Sequence, residues 1–125
     1  MFLPTRILLF ILIFFSTSPL FSQWTTYAPM PGTRWAHVCA GAGGKLYALA
    51  GSIAPTYAYD PGTNSWTTLA SIPTPRSYPG VAVWNGKIYV LGGSVGAAWS
   101  AKNECYDIAT NTWTTLADMP VVRTT

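Results

Sequence analysis

The chain reads as an all-β protein built from repeated four-stranded antiparallel meanders. Three observations point there: a composition short of helix formers, an internal repeat of 42 and then 47 residues, and an Asn-Gly hairpin signal inside the repeat. Of 125 residues, 50% are apolar and only 9% charged, which is unusually unpolar for a soluble surface. The excess is partly local. All five phenylalanines (Phe2, Phe10, Phe14, Phe15 and Phe21) fall in the first 21 residues, and the rest of the chain is rich in Trp, Tyr, Gly, Pro and Thr. That composition argues against a helical bundle or a coiled coil.

The first 22 residues have the layout of a secretory leader. Arg6 precedes nine apolar residues, 7 to 15, and the small residues Ser16, Thr17 and Ser18 come next. Nine helical residues reach about 14 Å, too short to cross a hydrocarbon core of about 30 Å. Cleavage is expected after Ser22, which makes the mature protein secreted or periplasmic, with no membrane span. Six basic side chains then face four acidic ones. Arg34, Lys45, Arg76, Lys87, Lys102 and Arg123 are scattered, with no basic run to neutralise a phosphate backbone, so no nucleic-acid partner is expected. Cys39 and Cys105 raise the question of a disulfide, but both align with apolar strand positions, where a free cysteine acts as a small hydrophobe.

The repeat fixes the elements. Trp24, Trp66 and Trp113 are each followed by two threonines, and Pro31, Pro73 and Pro120 keep the same spacings, as do Arg34, Arg76 and Arg123. The stretch from Gly44 to Ser52 matches that from Gly86 to Ser94 at 42 residues, whereas Tyr59-Asp60 matches Tyr106-Asp107 at 47. Five extra residues therefore lie between Gly93 and Tyr106, as one variable loop. Within the second unit, Val81 to Trp84 and Lys87 to Leu91 flank Asn85-Gly86, a two-residue turn between β-forming runs. Gly92-Gly93 ends the second strand. A third strand carries Tyr106, Asp107 to Asn111 makes a turn with side-chain-to-backbone bonding, and a fourth opens at Trp113. Four short strands in 42 to 47 residues is the period of a propeller blade.

Together, the Pro-x-x-Arg or Pro-x-Pro-Arg segment, Gly-Lys-x-Tyr-x-x-Gly-Gly, Tyr-Asp and Thr-Asn-x-Trp resemble the kelch repeat over residues 23–125. Ala50 departs from the pattern, replacing the first glycine of the doublet, and Pro79 stands where the first unit has His37. The resemblance implies an incomplete propeller: an opening fourth strand, blade one at about 33–70, blade two at about 75–117, and the start of a third. Repeat arrays need about three units to be stable. A piece of a larger propeller is therefore expected, the alternative being self-association of several chains into a ring.

A meander alternates its connections between two ends. The Pro-Arg segments and the variable loop should therefore share one face, holding residues 33–35, 74–78 and 94–102. Trp35 and Trp99 do not recur between units and fall on that face, where an indole can stack on a sugar ring or a peptide. Tyr78 joins them, since Ala36 is its counterpart. Arg34 and Arg76 can clamp a carboxylate, although their recurrence also suits a structural role, binding carbonyls at the blade edge. Trp66 and Trp113 recur and are expected to pack between blades. His37 is the sole histidine, and with two separated cysteines it makes no familiar zinc site, so neither metal nor cofactor is expected. Asp60 and Asp107 read as turn formers, and no phosphate loop, nucleophile elbow or paired carboxylates are visible. The expected function is an extracytoplasmic binding module for a protein or glycan. The resemblance also implies an alternative, part of a secreted carbohydrate-active enzyme such as a sialic-acid mutarotase or epimerase.

Overall fold

The computed structural model describes residues 25–123; the expected leader, its cleavage point and Trp24 lie outside the described residues. Those described form ten strands and no helix. The first sheet runs in the order β1 (Val38–Ala42), β2 (Lys45–Leu49), β3 (Thr56–Asp60), β4 (Ser65–Leu69). The second repeats it with β5 (Gly80–Trp84), β6 (Lys87–Leu91), β9 (Asn103–Asp107) and β10 (Thr112–Thr115). All neighbours are antiparallel, so each sheet is a simple meander. The five extra residues of the second unit form a small hairpin, β7 (Ser94–Val95) and β8 (Ala98–Trp99), between β6 and β9.

Turn chemistry sets these registers. Asn85 and Gly86 both have positive φ, 48° and 71°, as do Gly43 and Gly44, at 54° and 74°. Two consecutive left-handed residues are what a tight type I′ hairpin turn needs. They place Ala42 opposite Lys45 and Trp84 opposite Lys87, so equivalent residues of the two sheets face the same way.

One hydrophobic core joins the sheets. Ala40, Tyr47 and Leu49 from the first meet Ile88, Val90 and Tyr106 from the second, and Leu49, Ile88 and Val90 are wholly buried. These residues alternate along their strands, as burial of one sheet face requires. Burying side chains of this size stabilises by about 1.5–3 kcal/mol each.

Side chains of the Thr-Asn-x-Trp segment add a polar clamp between units. Asn111 Oδ1 accepts the Ala70 N–H at 2.9 Å, and the Trp113 indole N–H donates to the Ala70 carbonyl at 2.9 Å. Asn64 and Trp66 hold the peptide of Ala28 in the same way, each at 2.8 Å. Residues 25–30 nevertheless form no strand, unlike the opening strand that the repeat suggests. They are held by this side-chain clamp rather than by a backbone ladder. Cys39 also differs from expectation: it is exposed, whereas Cys105 is buried, and both are free.

Candidate binding face

The connections gather at one end, as the meander requires. The Tyr78 N–H donates to the Ala36 carbonyl at 2.9 Å, Ser77 and Ser94 exchange two backbone hydrogen bonds at 2.9 and 2.8 Å, and Ser94 pairs with Trp99 across the β7–β8 hairpin. This relay of backbone pairs runs from the first Pro-Arg segment through the second to the variable loop. It brings together Trp35, Tyr78 and Trp99, which are 61%, 50% and 58% exposed. Adjacent paired backbones lie about 4.8 Å apart, so the relay spans on the order of 15 Å.

Backbone strain marks the same face. Ala36 and Tyr78, at equivalent positions, both sit at φ 53°, a left-handed conformation that bulky residues seldom adopt. Close approach explains why the neighbouring doublet glycines have no side chain. A Cβ on Gly51 would lie 2.6 Å from the Trp35 carbonyl oxygen, and one on Gly93 would lie 2.5 Å from that of Ser77.

Arg34 and Arg76 turn inward and bind carbonyls at the blade edge. Arg76 donates to the Gly92, Thr74 and Val90 carbonyls and pairs with Glu104; both side chains are almost wholly buried. Glu104 also accepts the Thr74 hydroxyl at 2.8 Å. Arg34 donates to the carbonyls of Ala50, at 3.2 Å, and Pro55. The position equivalent to Glu104 is Tyr57, and the Arg34 guanidinium lies over its ring, 4.7 Å from the centroid. Burial holds the Arg34 pKa below its ordinary value, partly offset by Tyr57. Both arginines are thus engaged in blade structure, which was the alternative to a carboxylate clamp. The role of Glu104 was missed in the sequence; its one signal was that, unlike Asp107 in the same strand, it has no acidic counterpart in the first blade, where Tyr57 stands.

The remaining groups are structural or placed elsewhere. Trp84, 69% exposed, flanks the Asn85-Gly86 turn at the opposite end. Burial, and then the Arg34 charge, hold the His37 imidazole below its ordinary pKa of 6.5. Among the described residues, no group of three His, Cys, Asp or Glu side chains is placed to hold a metal ion, and no helix is long and apolar enough to cross a membrane.

A family model for the kelch motif matches residues 75–120, which is the whole second blade from its Pro-Arg segment to Pro120. The second blade is a kelch repeat. The first has the same strand order, turns and inward arginine, so the described residues comprise two kelch-type blades of an incomplete propeller. Among solved structures, that of YjhT is similar with a TM-score of 0.69 at 24% identity. The match covers 78% of this chain and 32% of that one, so the chain spans about a third of the length of the structure it resembles. That likeness is one of fold. The search of curated proteins found no match.

Proposed function

We propose that this kelch chain is an extracytoplasmic binding module that presents the Trp35, Tyr78 and Trp99 row to a protein or glycan. The observation that supports the reading is the backbone relay from Ala36 through Ser77 to Trp99, which joins segments carrying three exposed aromatics that the repeat itself does not require. Large, stiff rings that are already exposed lose little conformational entropy on binding, which suits them to stacking on sugars or peptide groups. The leader-like N-terminus supports the extracytoplasmic placement. Nothing specific favours the carbohydrate-enzyme alternative, because the two arginines such a site would use are committed to carbonyls, Glu104 and Tyr57.

The test is a glycan array and a peptide-display library screened with the full chain, followed by calorimetry on the best hit. Trp35→Ala and Trp99→Ala should each weaken that hit at least tenfold, about 1.4 kcal/mol, while Trp84→Ala at the other end leaves it unchanged. Equal affinity in all three variants removes the binding face from where we place it. Mass spectrometry of the secreted product should find Gln23 as its first residue; an unprocessed cell-bound chain contradicts the placement.

A further inference from the structure

A second candidate site lies at the opposite end, in a cleft between the two blades with a volume of about 310 Å³. Its walls come from both sheets: Tyr47 and Ala58 on one side and Tyr106 on the other, with Lys45, Thr67 and Asn111 also lining it. Small residues on the blade-one wall leave this space open. Gly43 and Ala58 are the repeat equivalents of Asn85 and Cys105, and a Cβ built on Gly43 meets nothing within 4 Å.

The lining is mostly apolar and aromatic. The Tyr47 and Tyr106 rings pack directly on each other, with centroids 6.2 Å apart at 53°, and form the floor of the cleft, while Leu69 and Ile108 add apolar walls. Tyr106 is neutral over the physiological range, since burial pushes its hydroxyl up to about 12, and that hydroxyl donates to Asn111 Oδ1 at 2.8 Å. Asn111 Oδ1 also accepts the Ala70 N–H. Its remaining hydrogen-bonding capacity is therefore mainly the donor NH₂ group. Lys45 supplies positive charge. Its ion pair with Asp60 is open, at 3.4 Å with both side chains substantially exposed, so the ammonium can turn to a second anion at little cost.

We infer that this interblade cleft binds a small planar ring carrying a carboxylate, the ring lying over the Tyr47–Tyr106 floor against Leu69 and Ile108 and the carboxylate meeting Lys45 and the Asn111 amide. The volume is at the lower end of the usual range for ligand pockets, about 300–1,000 Å³, which fits a single ring rather than a nucleotide or an oligosaccharide. The site uses only residues of these two blades and shares no side chain with the aromatic row, so it stands or falls separately from the proposed function.

The experiment is an amide NMR titration of the full chain with benzoate and with benzyl alcohol. Benzoate should give saturable shifts at residues 43–47 and 108–111. Lys45→Met, a change at an exposed position, should weaken benzoate at least fivefold and leave benzyl alcohol unchanged. Thr67→Trp, on the exposed face of β4 at the cleft wall, should abolish both. Shifts that do not saturate, or that persist in Thr67→Trp, overturn the site; benzyl alcohol binding as tightly as benzoate, or a Lys45→Met variant that keeps full benzoate affinity, overturns the carboxylate assignment.

Discussion

Arg76 and Glu104 show what a single repeat position does to the chemistry inside a blade. Both are buried and paired, with the remaining guanidinium donors spent on carbonyls. Removing one partner strands the other charge in a medium that solvates it poorly, which typically costs about 3–5 kcal/mol. Glu104→Ala should therefore lower stability by about that much in urea unfolding. Asp118→Ala breaks the exposed Lys102 pair, at 3.2 Å, and should cost less than about 1 kcal/mol. Similar small losses in both variants contradict the buried pair. Blade one solves the same problem differently, with the Tyr57 ring under Arg34. The arginine was legible in the sequence by recurrence. Its partner was not, because the pair spans 28 residues and depends on β9 lying beside β6 in a particular register.

At the level of the element, the turn between the third and fourth strands is set by one aspartate. Asp60 Oδ1 accepts the Gly62 N–H at 2.9 Å, and Asp107 Oδ1 accepts those of Ala109 and Thr110 at 3.0 and 3.2 Å. Asp107 also pairs with Lys87. The Lys87 hydrogen bond, followed by the backbone bond from Thr110, holds the Asp107 carboxyl below its ordinary 3.8, while Asp107 raises Lys87 above 10.5. A depressed carboxyl stabilises above its unfolded value and loses that contribution as pH falls through the folded one. A raised ammonium stabilises below its unfolded value and loses the contribution as pH rises through the folded one. The deficit of Asp107→Asn relative to wild type should be largest between about pH 4 and pH 10 and shrink towards both extremes. Thermal melts across pH check this, and a deficit that does not change with pH contradicts the charge account. These turns were readable from Asp-x-x-Thr-Asn alone, since an Asx turn is a local structure. The second role of Asn111, as the clamp on Ala70, was not: it needs the neighbouring blade.

For the whole molecule, the two meanders are stabilised by their mutual contact. Ile88 and Val90 on β6 are wholly buried, and β6 has a paired strand on each side, whereas β4 and β10 are sheet edges with mostly exposed side chains. Amide exchange tracks the free energy of opening, so β6 should exchange most slowly, with β2 and β9 next and β4 and β10 fastest. Uniform exchange across both sheets would mean that the interblade core does not organise stability. The two ends of this pair of blades carry different chemistry: exposed aromatics beside left-handed backbone at one, and an apolar cleft with a lysine rim at the other.

The sequence by itself determined the four strands of each blade, the hairpin turns, the blade period and the place of the one insertion. Each depends on local physics: alternation of side chains along a strand, left-handed φ at Asn-Gly, and recurrence of packing tryptophans. Only the tertiary structure decided that the arginines face inward, that Glu104 completes one of them, that one relay of backbone pairs joins the segments carrying Trp35, Tyr78 and Trp99, and that a cleft opens between the blades beside Gly43 and Ala58. Those features are distances between residues far apart in the chain. They arise from the register between strands and the stacking of one blade on the next, which no short stretch of sequence encodes.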